Sequence, residues 1–155
     1  MRLGSLTRPD LVFTDLPAAD RVEVLRALSG RIAARGLVRD AEELFQKLWE
    51  REQLGSTGIG GGVAIPHCKL PGLASGVVAV GVAPEGVDFA AVDGRPVHLF
   101  FVVISPSESP AEHLQALAAI SRWVKGGRRG EEILALGEPQ AIYDLLQREG
   151  GRSRQ

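Results

Sequence analysis

The chain has 155 residues, of which 45% are apolar and 24% charged, and its formal net charge is −1. This size and composition predict one globular domain over residues 1–150 with a disordered polar tail over 151–155, and the near-neutral charge predicts no electrostatic surface for nucleic acid. The single cysteine cannot form an internal disulfide. Neither a signal peptide nor a run of ~20 apolar residues is evident, so we expect a cytoplasmic protein that is not embedded in a membrane.

The first third of the chain predicts a short strand and two helices. Leu11–Phe13 is strand-like, and Ala18–Arg35 carries apolar residues at helical spacing. A second helix is predicted to begin at Asp40, which forms a capping-box pattern with Glu43, and to end at Gly55.

Arg51 lies on the apolar stripe of this second helix. It follows Leu48 by three residues and Leu44 by seven, so the helical repeat turns it toward the interior. A charge on an inward stripe needs a partner, so we expect Arg51 to have one.

The middle of the chain predicts a sheet. Strand-like runs span Val63–Lys69, Gly76–Ala83 and Val97–Ser105, and turn signals separate them. The last run is almost continuously apolar, which is typical of a strand buried on both faces by helices. The predicted fold is α/β (α+β), a single-domain sandwich with a central mixed β-sheet flanked by helices.

The last third predicts three helices. Ser109–Glu112 combines an N-cap serine, a proline at the first helical position and a glutamate at the third, and the helix that follows is expected to reach Gly126–Gly127. Two shorter helices are predicted around Glu131–Leu136 and Pro139–Gln147.

His113 falls in the first turn of the first of these helices. A histidine there can simply pack on the apolar face over Leu117, four residues on. The positive end of a helix, however, disfavours an imidazolium and favours a nearby anion. A neutral His113 that donates a hydrogen bond to a phosphate fits this position.

The segment between Gly55 and Lys69 joins a glycine-rich loop to a strand-like run that contains His67. Closely spaced glycines let backbone amides turn inward and form an anion-binding concavity, and a histidine supplies a nucleophile that titrates near neutral pH. The loop lacks the lysine and hydroxyl residue of a P-loop, and a helix rather than a strand precedes it. Neither the P-loop nor the Rossmann dinucleotide-binding fingerprint therefore fits.

Other candidate chemistry in the chain is weak. Cys68 follows His67 on a strand and therefore points to the opposite face, where a small buried thiol is the simpler interpretation. The three histidines and one cysteine lack the close spacing of zinc ligands, so no metal is predicted. His98 lies within an apolar strand and is interpreted as structural.

Three motifs together resemble the fructose/mannitol-type enzyme IIA domain of the bacterial phosphotransferase system. They are Ser56–Gly60 followed by Ala64–His67, then Asp93–Val97, and finally Glu112–Leu114. The resemblance spans nearly the whole chain. This chain departs from many relatives at Gly60–Gly62, where they carry a glycine-asparagine-glycine or similar loop, and at Cys68, where they carry a small residue.

The resemblance implies a phosphotransferase component that works through a phosphohistidine and needs no cofactor. His67 matches the phosphorylated histidine, which accepts its phosphoryl group from the small phosphocarrier protein HPr or its regulatory paralogue. His113 matches the second active-site histidine, and Arg51 matches the site arginine. We expect the remaining phosphoryl-binding groups to be Thr57 and the loop amides of Gly60, Gly61 and Gly62.

The step after phosphorylation has two versions among such proteins. In sugar transport the phosphoryl group passes to a IIB domain, and the IIA domain docks to a membrane transporter; nitrogen-type relatives instead regulate target proteins. The segment Arg51–Thr57 resembles the nitrogen type, so we favour regulation. A domain that binds partners without carrying phosphate is the alternative, and the retention of His67, His113 and Arg51 argues against it.

Overall fold

The computed structural model describes residues 3–17, 20–125 and 129–151. Two short 3₁₀ turns, Leu3–Leu6 and Pro9–Leu11, precede the regular elements. In chain order these are β1 (Val12–Phe13), α1 (Arg21–Ala34), α2 (Ala41–Gln53), β2 (Gly58–Gly60), β3 (Val63–Ala64), β4 (His67–Leu70), β5 (Val77–Val87), β6 (Val97–Pro106), α3 (Pro110–Val124), α4 (Arg129–Leu136) and α5 (Pro139–Gly151).

The six strands form one mixed sheet, in which β1-β5-β6-β3-β2 are neighbours in that order and β4 also pairs with β6. At its centre β5 and β6 are antiparallel, and β1 joins β5 in parallel. On the other side of β6, the short strands β3 and β4 follow one another along its length, both parallel to it. β2 is antiparallel to β3.

Two apolar layers cover the sheet, and β6 contributes to both. Phe100 and Val102 belong to the cluster that includes α1 and α2, whereas Phe101 and Val103 belong to the cluster that includes α3, α4 and α5. The side chains of β6 alternate between these layers as the strand period of two requires. The predicted α/β sandwich with a mixed sheet, and the predicted burial of this strand on both faces, are confirmed.

The predicted strand Val63–Lys69 is two strands in the structure. The break falls at Ile65–Pro66, where proline has no N–H to give to the ladder. Each half pairs with its own stretch of β6, with Val63 opposite Leu99 and His67 opposite Val103.

Two further strand predictions differ from the structure. The strand predicted to end at Ala83 continues to Val87 through Pro84–Gly86, one of the turn signals of the sequence, with a shift of register against β6. Gly58–Gly60, predicted as loop, forms β2, because its backbone pairs with β3 although its glycine composition disfavours a strand.

The helix starts are only partly as predicted. Asp20 caps α1 by accepting a hydrogen bond from the Glu23 N–H at 2.9 Å, and the predicted start at Ala18 lies outside the described residues. Asp40 caps α2 through the Glu42 N–H at 2.9 Å, one residue earlier than a capping box would require.

The helix α3 begins at Pro110 as predicted, but the Ser109 side chain makes no capping hydrogen bond, so the predicted capping box is wrong. The helix runs to Val124, and its predicted end at Gly126–Gly127 lies outside the described residues. The helix α5 includes Gly151, and the rest of the predicted tail also lies outside them.

Candidate functional site

The C-terminal end of α2, the start of β4 and the first turn of α3 meet at one open cavity of about 720 Å³. Arg51 reaches it from α2, His67 from β4 and His113 from α3. The centroids of the two imidazole rings are 5.4 Å apart, with the rings tilted by 54°. The structure thus brings together the three residues predicted as catalytic.

The hydrogen bonds of His67 define its tautomer. Its Nδ1 lies 2.7 Å from the backbone carbonyl of Ile65. A carbonyl oxygen can only accept, so Nδ1 carries the proton and Nε2 keeps its lone pair. Burial lowers the pKa of His67 below its ordinary value, although the Ile65 carbonyl acts in the opposite direction. The ring is therefore neutral at pH 7, with Nε2 as its basic nitrogen.

Arg51 holds this basic nitrogen. Its Nε–H donates to His67 Nε2 at 3.2 Å, and its Nη1 donates to the carbonyl of Gly55 at 2.8 Å. The expectation that an inward arginine on α2 needs a partner is met by a neutral imidazole together with a backbone carbonyl. The positive charge of Arg51 also contributes to the lowered pKa of His67.

His113 is buried, with 6% of its surface exposed. Its Nδ1 lies 2.7 Å from the hydroxyl oxygen of Ser105, near the end of β6. Burial, with smaller contributions from the charges of His67 and Lys69, lowers the pKa of His113 to about 4. His113 is thus neutral at pH 7, as its place in the first turn of α3 predicted.

The strand β4 divides its side chains between the two layers. His67 is in register with Val103 and Lys69 with Ser105, so these four residues share the face that α3 covers. Cys68 points the other way, into the cluster under α1 and α2. Burial raises the pKa of its thiol to about 12. Cys68 is the small buried residue that the sequence indicated.

The glycine loop after β2 is not part of this cavity. Gly62 lies beside Leu99, because its carbonyl accepts hydrogen bonds from the N–H groups of His98 and Leu99 at 2.9 and 3.1 Å. His67 is opposite Val103, four residues further along β6, or roughly 13 Å at the rise of a strand.

The glycines of this loop have a structural role. Gly60, Gly61 and Gly62 all have positive φ angles, 97°, 66° and 82°, and the Gly61 N–H donates to the carboxylate of Asp93 at 3.0 Å. In this structure the loop lies away from the cavity that holds His67, and the binding of a phosphoryl group by these three amides stays a prediction.

Thr57 is also occupied elsewhere. Its hydroxyl donates to Glu52 Oε1 at 2.7 Å, and its N–H donates to Glu52 Oε2 at 2.8 Å. Both residues are buried, with 5% and 1% of their surfaces exposed. In this structure the hydroxyl hydrogen of Thr57 is committed to Glu52, and its role as a phosphoryl donor stays a prediction. The pair instead ties the chain after α2 to the last turn of that helix.

Three residues of the site were missed from the sequence: Glu52, Ser105 and Lys69. Glu52 had a visible signal, since it follows Leu48 by four residues and so shares the inward stripe of α2. Ser105 and Lys69 become neighbours only through the pairing of β4 with β6, which no local pattern reveals.

His98 lies outside the cavity, with its Nδ1 3.2 Å from the carbonyl of Ala83. In the part of the chain that the structure describes, no three His, Cys, Asp or Glu side chains lie close enough to hold a metal ion. None of the helices described there combines the length and the apolar character needed to cross a membrane.

The fold has counterparts among solved structures. The crystal structure of nitrogen regulatory protein IIA-Ntr from Neisseria meningitidis superimposes with a TM-score of 0.85 at 26% identity, covering 92% of this chain and 97% of that one. Mannitol IIA from Escherichia coli, solved in complex with phosphorylated IIB, shares the fold with a TM-score of 0.66 at 20% identity, covering 85% of this chain and 89% of that one.

Sequence relatives fall in the same group. A nitrogen regulatory protein of Pseudomonas aeruginosa is 34% identical over 146 residues, covering 94% of this chain and 95% of the relative. A fructose-specific EIIA component of Haloferax volcanii is 31% identical over 144 residues, covering 93% and 94%. The sequence model of the phosphoenolpyruvate-dependent sugar phosphotransferase system EIIA 2 family matches residues 5–149. The chain belongs to this family and is a phosphotransfer component, with a phosphocarrier or regulatory role.

Proposed function

We propose that His67 accepts a phosphoryl group on Nε2 from the phosphohistidine of an HPr-like carrier protein. The observation that carries this proposal is the hydrogen-bond pattern of His67, in which Ile65 holds the proton on Nδ1 and leaves the Nε2 lone pair in the cavity. The lowered pKa supports it, since a neutral ring is the nucleophilic form.

In the transfer, the bond between phosphorus and the donor's ring nitrogen breaks as the bond between phosphorus and His67 Nε2 forms. The proton on His67 Nδ1 stays where it is, so the phosphorylated ring becomes cationic. The Ile65 carbonyl 2.7 Å away stabilises that charge. The donor's histidine leaves with the electron pair of the broken bond.

The protein's main contribution to such a transfer is positioning and charge stabilisation. Arg51 donates to Nε2 in the free protein, and its N–H groups would shift to the phosphoryl oxygens when phosphorus takes that nitrogen. His113, 5.4 Å away between ring centroids, supplies a neutral donor, and Lys69 on the cavity wall adds positive charge.

The rim of the cavity suits a protein partner. Leu54 and Leu114, which line it, are 84% and 66% exposed, so a carrier protein that covers His67 would bury them. We propose an HPr-like protein as the donor and a IIB domain or a regulated target as the next partner. The mannitol IIA protein, which shares this fold, forms a complex with phosphorylated IIB. These partners would place the reaction in the cytoplasm.

Between the downstream roles we favour regulation. Nitrogen regulatory proteins are among the relatives with 34% identity, and the structural neighbour with a TM-score of 0.85 is also one. Transport remains the second candidate, because a fructose-specific component is 31% identical.

Labelling tests the acceptor. Incubation with enzyme I, the HPr-like carrier and phosphoenolpyruvate should add one acid-labile phosphoryl group, measured by intact mass. His67→Ala should abolish the addition, whereas His98→Gln, which changes a histidine outside the cavity, should be labelled like the wild type. Equal labelling of the His67→Ala protein would refute the assignment.

Transfer to a downstream protein tests the role. Phosphorylated protein should be mixed with IIB domains of the fructose and mannitol type, and loss of label from this chain should be followed over time. Retention of the label in the presence of these domains would support regulation. Rapid passage to a IIB domain would establish the transport role instead.

A further inference from the structure

The contact between Ser105 and His113 has a consequence for catalysis that rests on the proposed function. Both side chains are buried, with 3% and 6% of their surfaces exposed, and the Ser105 hydroxyl lies 2.7 Å from Nδ1 of His113. His113 lines the cavity beside His67. The role of His113 depends on which of its two nitrogens carries the proton.

A phosphoryl group presents only acceptor oxygens, so a neutral His113 can help only if the nitrogen facing the cavity carries a hydrogen. Ser105 occupies Nδ1, which leaves Nε2 as the nitrogen for the phosphoryl group. Nε2 is protonated in a neutral ring only when Nδ1 is an acceptor. Ser105 must then be the donor in this hydrogen bond.

The surroundings of Ser105 favour the same direction. In the part of the chain that the structure describes, His113 is the hydrogen-bond partner of the Ser105 side chain. If Nδ1–H donated to Ser105, the hydroxyl hydrogen would lie in a buried place with no protein acceptor among these residues. A buried donor without a partner is costly, whereas donation from Ser105 to Nδ1 satisfies both groups.

The fold fixes this geometry from two directions. Ser105 is held in β6, in register with Lys69 of β4, and so lies on the same face as His67. His113 is fixed in the first turn of α3, because its backbone N–H donates to the carbonyl of Ser109 at 3.1 Å. The strand and the helix therefore place the hydroxyl and the ring together without help from a ligand.

We propose that Ser105 is a positioning residue for phosphoryl transfer, which donates its hydroxyl hydrogen to His113 Nδ1 and so holds the His113 ring as the Nε2–H tautomer facing His67. Ser105 does not touch the phosphoryl group. Its role in this reaction is to keep a hydrogen-bond donor ready at the place where the phosphoryl charge arrives.

The first test needs no variant. Long-range ¹H–¹⁵N correlation spectra of the wild-type protein at pH 7 should show His113 with a protonated Nε2 and an unprotonated Nδ1. A protonated Nδ1 would overturn the proposal, because His113 would then have no hydrogen for the phosphoryl group. This outcome would leave the labelling of His67 unaffected, so it is distinguishable from failure of the proposed function.

The second test compares Ser105→Ala with Ser105→Thr. Ser105→Ala should weaken the Nε2–H signature of His113 and slow transfer from the phosphorylated HPr-like carrier about tenfold, less than the ~100-fold expected for loss of a direct donor. Ser105→Thr keeps the hydroxyl, and Ser105 borders a cavity of about 270 Å³. The Ser105→Thr protein should therefore show the Nε2–H signature of His113 and the transfer rate of the wild type.

Ser29→Ala is the matched control. Its hydroxyl is also buried, in α1 on the other layer, and has no hydrogen-bond partner among the described residues. The Ser29→Ala variant also removes one buried hydroxyl, but away from the site, so the His113 spectrum and the transfer rate should stay at wild-type values. If Ser105→Ala leaves the His113 spectrum and the transfer rate unchanged as well, Ser105 has no positioning role.

Discussion

Replacing Arg51 tests the geometry of the site most directly, because this residue makes two defined contacts. Its Nε–H lies 3.2 Å from His67 Nε2, and its Nη1 lies 2.8 Å from the Gly55 carbonyl. Methionine keeps much of the side-chain volume but removes the charge and every donor. Lysine keeps the charge and loses the planar fork that can bind two phosphoryl oxygens at once.

The expected losses follow from these contacts. A donor aimed at charge that develops in a transition state contributes ~10²–10³ in rate, so Arg51→Met should slow phosphoryl transfer by that factor. Arg51→Lys should slow it about tenfold, since a point charge remains without bidentate geometry. Stability should change little, because the bond to Gly55 is one hydrogen bond worth ~1 kcal/mol.

The pKa of His67 provides a second readout. The positive charge of Arg51 lowers this pKa, so Arg51→Met should raise it. Burial is the larger cause and remains in the variant, so the pKa should stay below its ordinary value of 6.5. Imidazole resonances followed by NMR across a pH titration measure the change.

Single-turnover transfer from the phosphorylated carrier, with urea unfolding in parallel, completes this test. Arg39→Met, which changes an exposed arginine outside the cavity, is the control and should behave as wild type. Wild-type transfer rates in both Arg51 variants would refute the reasoning. A pKa of His67 that does not rise in Arg51→Met would show that the contact seen here is not kept in solution.

Three further outcomes are expected. His113→Ala should keep the fold, as judged by circular dichroism, but slow transfer ~100-fold, and an unchanged rate would return His113 to a packing role. Because the pKa of His113 is lowered from 6.5 to about 4, the unfolded chain binds a proton in this range that the folded state excludes. This contribution to the free energy of unfolding should therefore be constant above pH 6.5. It should fall by up to ~1.4 kcal/mol per pH unit as the pH drops from 6.5 to 4. Urea unfolding across this pH range should show a flatter dependence in His113→Ala than in wild type, and parallel curves would contradict the lowered pKa. Glu52→Gln should cost ~1–3 kcal/mol in urea unfolding, since the buried carboxylate accepts both the N–H and the hydroxyl of Thr57. Thr57→Ser, which keeps the hydroxyl, should cost less, and a Glu52→Gln protein as stable as wild type would show that the pair does not stabilise the fold.

The parts of the site that could be predicted are those with a local signal. The helical repeat of α2 turned Arg51 inward, and the start of α3 at Pro110 put His113 in a first turn. Both elements formed close to where the sequence placed them. Their side chains consequently reach the cavity as the pattern and the resemblance indicated.

The need for glycine in the glycine loop has causes that are not local. A side chain at Gly58 would meet Ala91 at 2.8 Å, and Gly61 must present its N–H to Asp93 thirty-two residues later. Close packing and left-handed backbone angles require glycine here just as an anion site would. The sequence alone shows the requirement for glycine and not its reason.

The break between β3 and β4, which the sequence did not predict, helps to build the site. Around the break the Pro66 carbonyl pairs with Val103 of β6, while the Ile65 carbonyl is free to accept the Nδ1–H of His67. The alternation of the strand turns the Pro66 carbonyl toward β6 and the Ile65 carbonyl away from it, so the Ile65 carbonyl remains for Nδ1 of His67.

The chain before the break is held from α2. The N–H of Ile65 donates to the carbonyl of Thr57 at 2.9 Å, and Thr57 is bound in turn to the buried carboxylate of Glu52. Glu52 adjoins Arg51 in the last turn of α2, so one helix end positions both the arginine on Nε2 of His67 and the segment that carries the carbonyl on Nδ1. The hydrogen bonds on both nitrogens of His67 thus depend on the C-terminal end of α2. Replacing Glu52 should therefore disturb the orientation of the His67 ring as well as the stability of the fold.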